Sequence, residues 1–244
     1  MGKNRIKTVK AGRLVFAVCY SQAIGADTPT VRQAKNKVSS EARQRLNFRA
    51  AWQKLELLLA ANFGPEDCFV TLTYDDAHLP SDRASALNYF KKYVGRLRTA
   101  YRRAGIELRY VYNVEEMPDE ADGARRLHHH MVVSRSSAET LRSLWAGGGV
   151  QIEHLLDGPT DSYEARARYL VKERHPGAIG RKTGLRAWSG SRNLKKPEET
   201  SELVADSVTI TAPPGAFVLD RRDEGNCYGS YSYIKYLLPV RQRE

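Results

Sequence analysis

The sequence predicts an α+β fold in which helices pack on a central antiparallel sheet. Between residues 68 and 174, strand-like and helix-like segments follow in the order β-α-β-β-α-β-α, which is a split β-α-β pattern. A long helix precedes this region, and the regular pattern ends after Pro176. We therefore expect an N-terminal strand and basic helical arm (1–66), a core (67–176) and a C-terminal basic extension packed on the core (177–244).

Two elements are predicted ahead of the core. Residues 13–20 form a short strand-like run, and a helix is expected from about Thr30 to Asn62, where Gly64 and Pro65 oppose its continuation. The second half of the helix carries an apolar stripe formed by Phe48, Trp52, Leu55 and Leu59. The first half is basic and leaves two interpretations open, a solvated face or an arm that contacts DNA. Its basic residues are Arg32, Lys35, Lys37, Arg43 and Arg45.

The core is predicted to begin with a buried strand. Cys68–Tyr74 is rich in β-branched and aromatic residues, as central strands are. The helix from about Asp82 to Arg103 has an apolar inner face and a basic outer face. The inward residues are Leu87, Phe90, Val94, Leu97 and Tyr101. The remaining elements are strands at 107–115, 126–134 and 149–156 and helices near 137–146 and 161–174.

Composition restricts the class of protein. A net charge of +11 and a pI near 9.6 favour a polyanionic partner, and nucleic acid is favoured over membrane because basic residues recur along the chain. Three cysteines without CxxC spacing fit a reducing cytoplasm and argue against a zinc ribbon or disulfide framework. The sequence shows no secretory signal or membrane-spanning segment. On the outer helix face, Lys91, Lys92, Arg96 and Arg98 are predicted to bind DNA non-specifically.

Three consecutive histidines stand at the start of a predicted strand. Side chains alternate between the faces of a strand, so His128 and His130 share one face and His129 takes the other. A third ligand is expected from the preceding strand, either Glu115 or Glu116, because the register cannot be read from the sequence. Two imidazoles and a carboxylate suit Mg²⁺ or Mn²⁺ in a phosphodiester enzyme, and zinc stays possible. The competing interpretations are surface histidines and satisfied core imidazoles.

One of the 13 tyrosines is placed to act as a nucleophile. In the helix near 161–174, Tyr163 falls on the apolar face, whereas Tyr169 points away from it, together with Arg166 and Lys172. A phenol with a pKa of about 10 is a weak nucleophile at neutral pH. Neighbouring cations would favour the phenolate and neutralise the phosphate under attack. The alternative is an exposed helix tyrosine beside basic residues.

Together these segments resemble the HUH endonucleases, specifically the single-tyrosine rolling-circle replication initiators of phages and plasmids. The resemblance covers roughly residues 45–200, in the family's order of blocks. Its motifs are Phe69-Val70-Thr71-Leu72-Thr73-Tyr74, then Glu115 with His128-His129-His130, then Ala167-Arg168-Tyr169-Leu170-Val171-Lys172. A histidine replaces the usual hydrophobe between the paired histidines. Trp188-Ser189-Gly190-Ser191-Arg192-Asn193-Leu194 also looks like a segment that follows the catalytic helix in some members.

The resemblance implies a ferredoxin- or RRM-like HUH core and a mechanism. Mg²⁺ or Mn²⁺ on His128, His130 and Glu115 would bind the scissile phosphate, and Tyr169, assisted by Lys172, would attack it. The product would be a 5′-phosphotyrosine link with a free 3′-OH. The implied partners are single-stranded DNA or an extruded origin hairpin and the host replication machinery, in the cytoplasm of a bacterial host. Arg166, Arg192 and Asn193 are added to the expected DNA contacts.

Other classes remain open at this point. A transposase or a conjugative relaxase of the same superfamily would share the cleavage chemistry, and the histidine triplet keeps the relaxase in consideration. A non-catalytic DNA-binding protein would use the basic faces and keep the histidines as structural residues. No GxxxxGK[ST] loop is present, which argues against an attached helicase.

Overall fold

The computed structural model describes residues 3–21, 41–118, 125–172, 187–226 and 229–240. Its elements fall into two compact units, a central unit (45–195) and a terminal unit (1–44 with 196–244). In chain order the elements are β1 (Lys3–Ala11), β2 (Leu14–Ser21), α1 (Glu41–Asn62), β3 (Cys68–Leu72), α2 (Arg83–Arg103), β4 (Tyr110–Pro118), β5 (Arg125–Val133), α3 (Ala138–Ser143), β6 (Val150–His154), α4 (Glu164–Leu170), β7 (Ser189–Gly190), β8 (Glu198–Ala205), β9 (Phe217–Asn226) and β10 (Gly229–Leu237).

The central unit contains a five-stranded antiparallel sheet in the order β6-β3-β5-β4-β7. Helix α2 connects β3 to β4 along the chain, and β5 lies between these two strands in the sheet. Helix α3 connects β5 to β6, and β3 lies between them. The sheet and the order of its elements confirm the predicted α+β class and the sequence β-α-β-β-α-β-α. The strand boundaries differ by a few residues, most at β4, which begins at Tyr110 rather than at residue 107.

Helix α2 covers one face of this sheet. It begins after Asp82, whose side chain accepts a hydrogen bond from the backbone N–H of Ser85 at 2.7 Å, a typical N-cap. Its buried residues pack against Val70 and Met131 from the two central strands. Those buried residues are Ala86, Phe90, Tyr93, Val94, Leu97 and Tyr101, so the predicted inward face is confirmed except at Leu87, which is half-buried.

Helices α1 and α4 form another buried part of the central unit. The predicted stripe of α1 is confirmed, since Trp52, Leu55 and Leu59 are buried and Phe48 is half-buried. The Tyr163 hydroxyl donates a hydrogen bond to the Phe63 carbonyl just beyond the end of α1. This bond ties the start of α4 to α1. The predicted helix residues before Glu41, including Arg32, Lys35 and Lys37, lie outside the described residues.

The terminal unit contains a second antiparallel sheet, in the order β8-β1-β2-β10-β9. A tight turn at Gly12, with φ +56°, joins β1 to β2, and β8 and β10 pair with their outer edges. No strand is predicted for residues 3–11, but they form β1, which pairs with β2 on one side and β8 on the other. The division differs from the predicted three parts because strands from the two ends of the chain share one sheet.

None of the described helices is long and apolar enough to span a membrane.

Candidate active site

The register of β5 decides which histidine faces which side of the central sheet. His130 pairs with Thr71 on β3 and Asn113 on β4, whereas His129 pairs with Leu72 and Val114. His129 lies on the α2 face, and His130 lies on the opposite face. The predicted separation of these neighbours onto two faces is therefore observed.

Four polar side chains meet on the face that carries His130. The His130 Nε2 atom lies 2.8 Å from Glu115 Oε2 and 3.2 Å from the Tyr169 hydroxyl. The Lys172 Nζ atom lies 2.6 Å from the other carboxylate oxygen, Glu115 Oε1, and 3.7 Å from the centre of the Tyr169 ring. Tyr169 is half-buried, while Glu115 and His130 are 6% and 2% exposed. A buried acid–imidazole pair thus stands beside a phenol that solvent reaches.

The position of Tyr169 follows from how α4 is anchored. Tyr163 at its N-terminus is buried, and the Asn113 Nδ2 atom donates to the Leu170 carbonyl at 3.1 Å at its C-terminal end. Between these anchors, the Tyr169 ring meets the edge of His130 with ring centres 4.7 Å apart. The predicted contrast between a buried Tyr163 and an outward Tyr169 is observed.

Charge at the site is balanced between Glu115 and Lys172. Burial raises the pKa of the Glu115 carboxyl, but hydrogen bonds with His130 and Lys172 outweigh burial and lower the pKa overall. Burial lowers the pKa of Lys172, and its bonds to Glu115 and Tyr169 more than offset this and raise it. Glu115 is therefore a carboxylate and Lys172 an ammonium at neutral pH, with the positive charge held next to the phenol.

Glu115 Oε2 and His130 Nε2 lie 2.8 Å apart, which is the distance of a hydrogen bond. His128 pairs with Glu115 across β4 and β5. Burial and the charge of His130 lower the pKa of His128. Within the described ranges, no group of three or more His, Cys, Asp or Glu side chains is arranged to hold a metal ion.

The alternative ligand Glu116 lies elsewhere. It pairs with Leu127, which is buried in the α2-side core, so its side chain leaves the sheet on the face opposite His130. The structure therefore brings Glu115, and not Glu116, to His130. The sequence could not decide between the two because a shift of one residue in register exchanges the faces.

His129 belongs to an aromatic cluster in the core. It is 0% exposed, its Nε2 atom lies 2.7 Å from the Tyr74 hydroxyl, and its ring stacks on Phe90 with centres 5.0 Å apart. Burial lowers the pKa of His129 to about 3, so the imidazole is neutral. The middle histidine of the triplet thus serves as a core residue.

Sequence reasoning missed three residues that support the site. The Thr71 hydroxyl lies 3.1 Å from His130 Nδ1, the ring nitrogen that does not face Glu115, and so fixes the orientation of the ring. Phe69 stacks on His130 and meets the edge of Tyr169, with ring centres 5.9 Å away in each case. Asn113 anchors α4. All three alternate with core residues on β3 or β4, and only the strand register shows that they face His130.

The residues predicted to bind DNA have different surroundings. Lys91, Lys92, Arg98 and Arg192 are exposed. Three others are engaged within the protein: Arg96 donates to the Leu144 carbonyl, Arg166 pairs with Glu153 and lies over the Phe69 ring, and Asn193 donates to Glu107 and the Leu108 carbonyl. These contacts fix the positions of the three side chains and leave their DNA contacts as predictions.

Comparison with known families points to DNA replication. Residues 67–174, less than half of the chain, match the family model described as replication-associated protein ORF2/G2P. The matched region runs from the start of β3 through Lys172 and contains every residue of the His130 cluster. The match supports a Rep-type protein. No curated protein and no solved structure matches the chain.

Proposed function

We propose that the protein is an HUH endonuclease that nicks and rejoins DNA and so initiates rolling-circle replication. Tyr169 is the nucleophile, Lys172 assists it, and the product is a 5′-phosphotyrosine link with a free 3′-OH. The substrate is single-stranded DNA or an extruded origin hairpin. The replication machinery of the host cell, in its cytoplasm, would extend the 3′-OH.

One observation carries this proposal, the convergence of Tyr169, Lys172, Glu115 and His130 from two strands and one helical segment. A half-buried phenol lies 3.2 Å from a buried imidazole that is itself bonded to a carboxylate. If Glu115 and Lys172 formed only a structural ion pair, the Tyr169 phenol would not be needed beside them. The matched replication-associated family gives independent support, and the strand order β6-β3-β5-β4 supports a ferredoxin-like split β-α-β core.

The chemistry would be a single displacement at phosphorus. The Tyr169 oxygen forms a bond to phosphorus, the bond to the 3′ oxygen breaks, and that oxygen takes up a proton as the phenol loses its own. The Lys172 ammonium stabilises the phenolate and the charge that builds on the phosphoryl oxygens. Thr71 and Phe69 hold the His130 ring in place, and Asn113 holds the end of α4. The exposed cations of α2 would bind the DNA backbone.

We propose a divalent metal here from the chemistry of the side chains and not from their present arrangement. Glu115 and His130, with His128 beside them, would hold Mg²⁺ or Mn²⁺. When bound, the ion would polarise the scissile phosphate. Carboxylate and imidazole donors without thiolate suit these ions.

A nicking assay on labelled single-stranded DNA with Mn²⁺ tests the proposal. The wild type should give a shortened 3′-OH fragment and a protein–DNA adduct stable in denaturant, and Tyr169→Phe should give neither. Tyr231→Phe is the matched control, because Tyr231 is an exposed tyrosine of the terminal unit, and it should cleave like the wild type.

Mapping the modified peptide by mass spectrometry identifies the linked residue. A link at Tyr163 or at a C-terminal tyrosine would overturn the assignment of Tyr169. DNA binding without any cleavage would favour the non-catalytic DNA-binding protein. A relaxase or transposase would cleave DNA by the same chemistry but at a different target sequence. Cleavage of replication-origin DNA would therefore distinguish an initiator from these two classes.

A further inference from the structure

A cleft of about 690 Å³ lies at the C-terminal end of α2, away from the Tyr169 site. Its wall combines the end of α2, the segment before β4 and the residues around β7. The volume is within the range of ligand-binding clefts, about 300–1,000 Å³. Three arginines line it, Arg98 and Arg102 from α2 and Arg192 from the segment after β7. We call it the arginine cleft.

Among the described residues, no carboxylate forms an ion pair with the arginines of the arginine cleft. Arg98, Arg102 and Arg192 are exposed, and within the described part of the chain none of them forms an ion pair. Other surface arginines of the same unit do form them, such as Arg135 with Glu66 and Arg126 with Asp76. The nearest acidic side chain in sequence, Glu107, is bonded to Asn193. Three arginines therefore line one cleft without an ion pair to any described residue.

The walls of the arginine cleft are fixed. The Ser191 N–H donates to the Tyr110 carbonyl at 2.9 Å, and the Tyr110 N–H donates to the Ser191 hydroxyl oxygen at 3.2 Å. Asn193 donates to the Leu108 carbonyl at 3.1 Å. A Cβ at Gly190 would lie 3.1 Å from the Tyr110 carbonyl oxygen, so a glycine permits this close approach. The segment that carries Arg192 is thus held against β4, and it forms the wall of the cleft across from α2.

The helix dipole does not account for the cluster. Cations near a helix C-terminus are favourable within the last turn, which explains Arg102. Arg98 stands one turn earlier, and Arg192 comes from a segment 90 residues away in sequence. Their convergence on one cleft, beside the half-buried Tyr110 ring and the exposed Ile106, matches a ligand with phosphate groups and a flat or apolar part.

The arginine cleft is separate from the Tyr169 site. Tyr110 has the parity of Tyr112, which stacks on Phe90 of α2 with ring centres 4.2 Å apart, so it lies on the α2 face. Glu115 lies on the other face and five residues further along β4, about 17 Å at 3.4 Å per residue. A ligand in the arginine cleft does not touch Glu115 or His130.

We propose that the arginine cleft binds backbone phosphates of a single DNA strand at a point remote from the phosphodiester that Tyr169 attacks, with Tyr110 as a stacking surface. This inference adds a second contact point to the proposed function, and it depends on that function for the assumption that the bound strand is the DNA substrate. The cleft holds the strand several nucleotides from the cleavage point and so sets a minimum substrate length. The guanidinium groups carry the affinity, which is therefore sensitive to salt.

The test measures binding of a labelled oligonucleotide to the full chain over a series of salt concentrations. All proteins carry Tyr169→Phe, so that no cleavage interferes. The cleft variant is Arg98→Gln with Arg102→Gln and Arg192→Gln. The matched control removes the same charge at three exposed cations of the central unit outside the cleft, Lys54→Gln with Arg142→Gln and Lys195→Gln. Circular dichroism checks that each variant is folded.

The cleft variant should lower the slope of log affinity against log salt by about 2, since each phosphate contact on a single strand contributes about 0.7. Its affinity at about 0.1 M salt should fall on the order of 10- to 100-fold. The control variant should change both quantities much less. An oligonucleotide bound at the Tyr169 site must span more than about 17 Å to reach the cleft, because the two lie on opposite faces of the sheet. With an oligonucleotide too short for this, cleft and control variants should bind alike.

Equal losses in both variants would overturn the cleft and leave only diffuse surface charge. A cleft-specific loss that is the same for the short and the long oligonucleotide would overturn the second contact point. Displacement of the long strand by millimolar inorganic phosphate or mononucleotide would mean a small-anion site instead. If the wild type fails to cleave in the separate nicking assay while the cleft variant still loses slope in the binding test, the proposed function fails and the arginine cleft stands as a strand-binding site.

Discussion

His129 and His130 are sequence neighbours with unrelated surroundings, and they show how much one residue of strand position decides. His130 contacts Glu115, Thr71 and Tyr169 on one face of the sheet, and His129 contacts Tyr74 and Phe90 on the other. The first set is polar and includes the phenol that we propose as the nucleophile. The second set is a packed aromatic core, in which the Tyr74 hydroxyl lies at hydrogen-bond distance from both His129 Nε2 and the Ala86 carbonyl.

Substitution should separate these two roles. His129→Ala is expected to lower the free energy of unfolding by about 2–4 kcal/mol, since it removes a fully buried ring. Cleavage per folded molecule should stay near the wild-type value. His128→Ala and His130→Ala should instead abolish metal-dependent cleavage. Urea unfolding followed by tryptophan fluorescence, alongside the nicking assay, measures both effects.

His154→Ala is the control, because His154 is an exposed histidine of the same sheet and should change neither quantity. If His129→Ala removed cleavage while its unfolding curve matched the wild type, the assignment of His129 to the core would be wrong.

Lys172 places a cation directly beside the phenol. Its ammonium contacts the Glu115 carboxylate and lies over the Tyr169 ring. Lys172→Ala should slow formation of the adduct on the order of 100-fold, as the loss of one electrostatic contact to a transition state does, while some covalent product stays detectable. Lys172→Arg, which keeps the charge, should recover part of the rate. Single-turnover kinetics measures the change in rate, and Lys195→Ala serves as the control because Lys195 is exposed. Equal rates for Lys172→Ala and the wild type would exclude the assisting role of Lys172.

At the scale of elements, the loop between α3 and β6 fits closely against the end of β3. Gly148 has φ +144°, and a Cβ there would lie 2.5 Å from the Asp75 backbone nitrogen and 2.9 Å from the Thr73 carbonyl oxygen. Backbone atoms cannot move aside as a flexible side chain can. The Thr73 N–H also donates to the Gly149 carbonyl at 3.0 Å, so this loop continues the β3–β6 pairing.

Gly148→Ala should therefore destabilise the central unit. The unfavourable backbone conformation alone costs about 1–3 kcal/mol, and the steric overlap adds to it. Gly158→Ala is the matched control, because a Cβ at Gly158 meets nothing within 4 Å. Thermal unfolding of the two variants and the wild type gives the comparison. A Gly148→Ala midpoint equal to that of the control would contradict the close approach.

At the scale of the whole molecule, the chain is divided in a way that affects truncation. The terminal unit is discontinuous, because β1 and β2 pair with β8 and β10 from the other end of the chain. The central unit is continuous and contains the entire segment that matches the replication-associated family. A fragment of residues 41–195, which keeps α1 whole, retains all pairings of the central sheet.

This fragment should fold cooperatively. A fragment of residues 1–195 should behave worse, because β1 and β2 would be left as a lone hairpin with two unpaired edges. Size-exclusion chromatography and thermal unfolding of both fragments test the difference. If residues 41–195 showed no cooperative transition while residues 1–195 did, the central unit would depend on the hairpin for its stability.

The sequence by itself determined the local features. Its periodicities predicted α2 to within one residue at its start, because Asp82 caps the helix and its apolar residues recur at helical spacing. Alternation separated His129 from His130, and helical spacing separated Tyr163 from Tyr169. These features depend on residues close together in the chain, so a local pattern is sufficient to predict them.

Only the tertiary structure decided what depends on long-range pairing. The register of β4 against β5 placed Glu115 rather than Glu116 at His130, and it brought Thr71 and Asn113 to the same face. The strand β1 exists because β2 and β8 flank it, although residues 3–11 lack a strand-like apolar pattern. The arginine cleft joins Arg98 and Arg192 across 94 positions of sequence. Strand partners and cleft walls come from distant segments, and no local pattern encodes which distant segment will meet which.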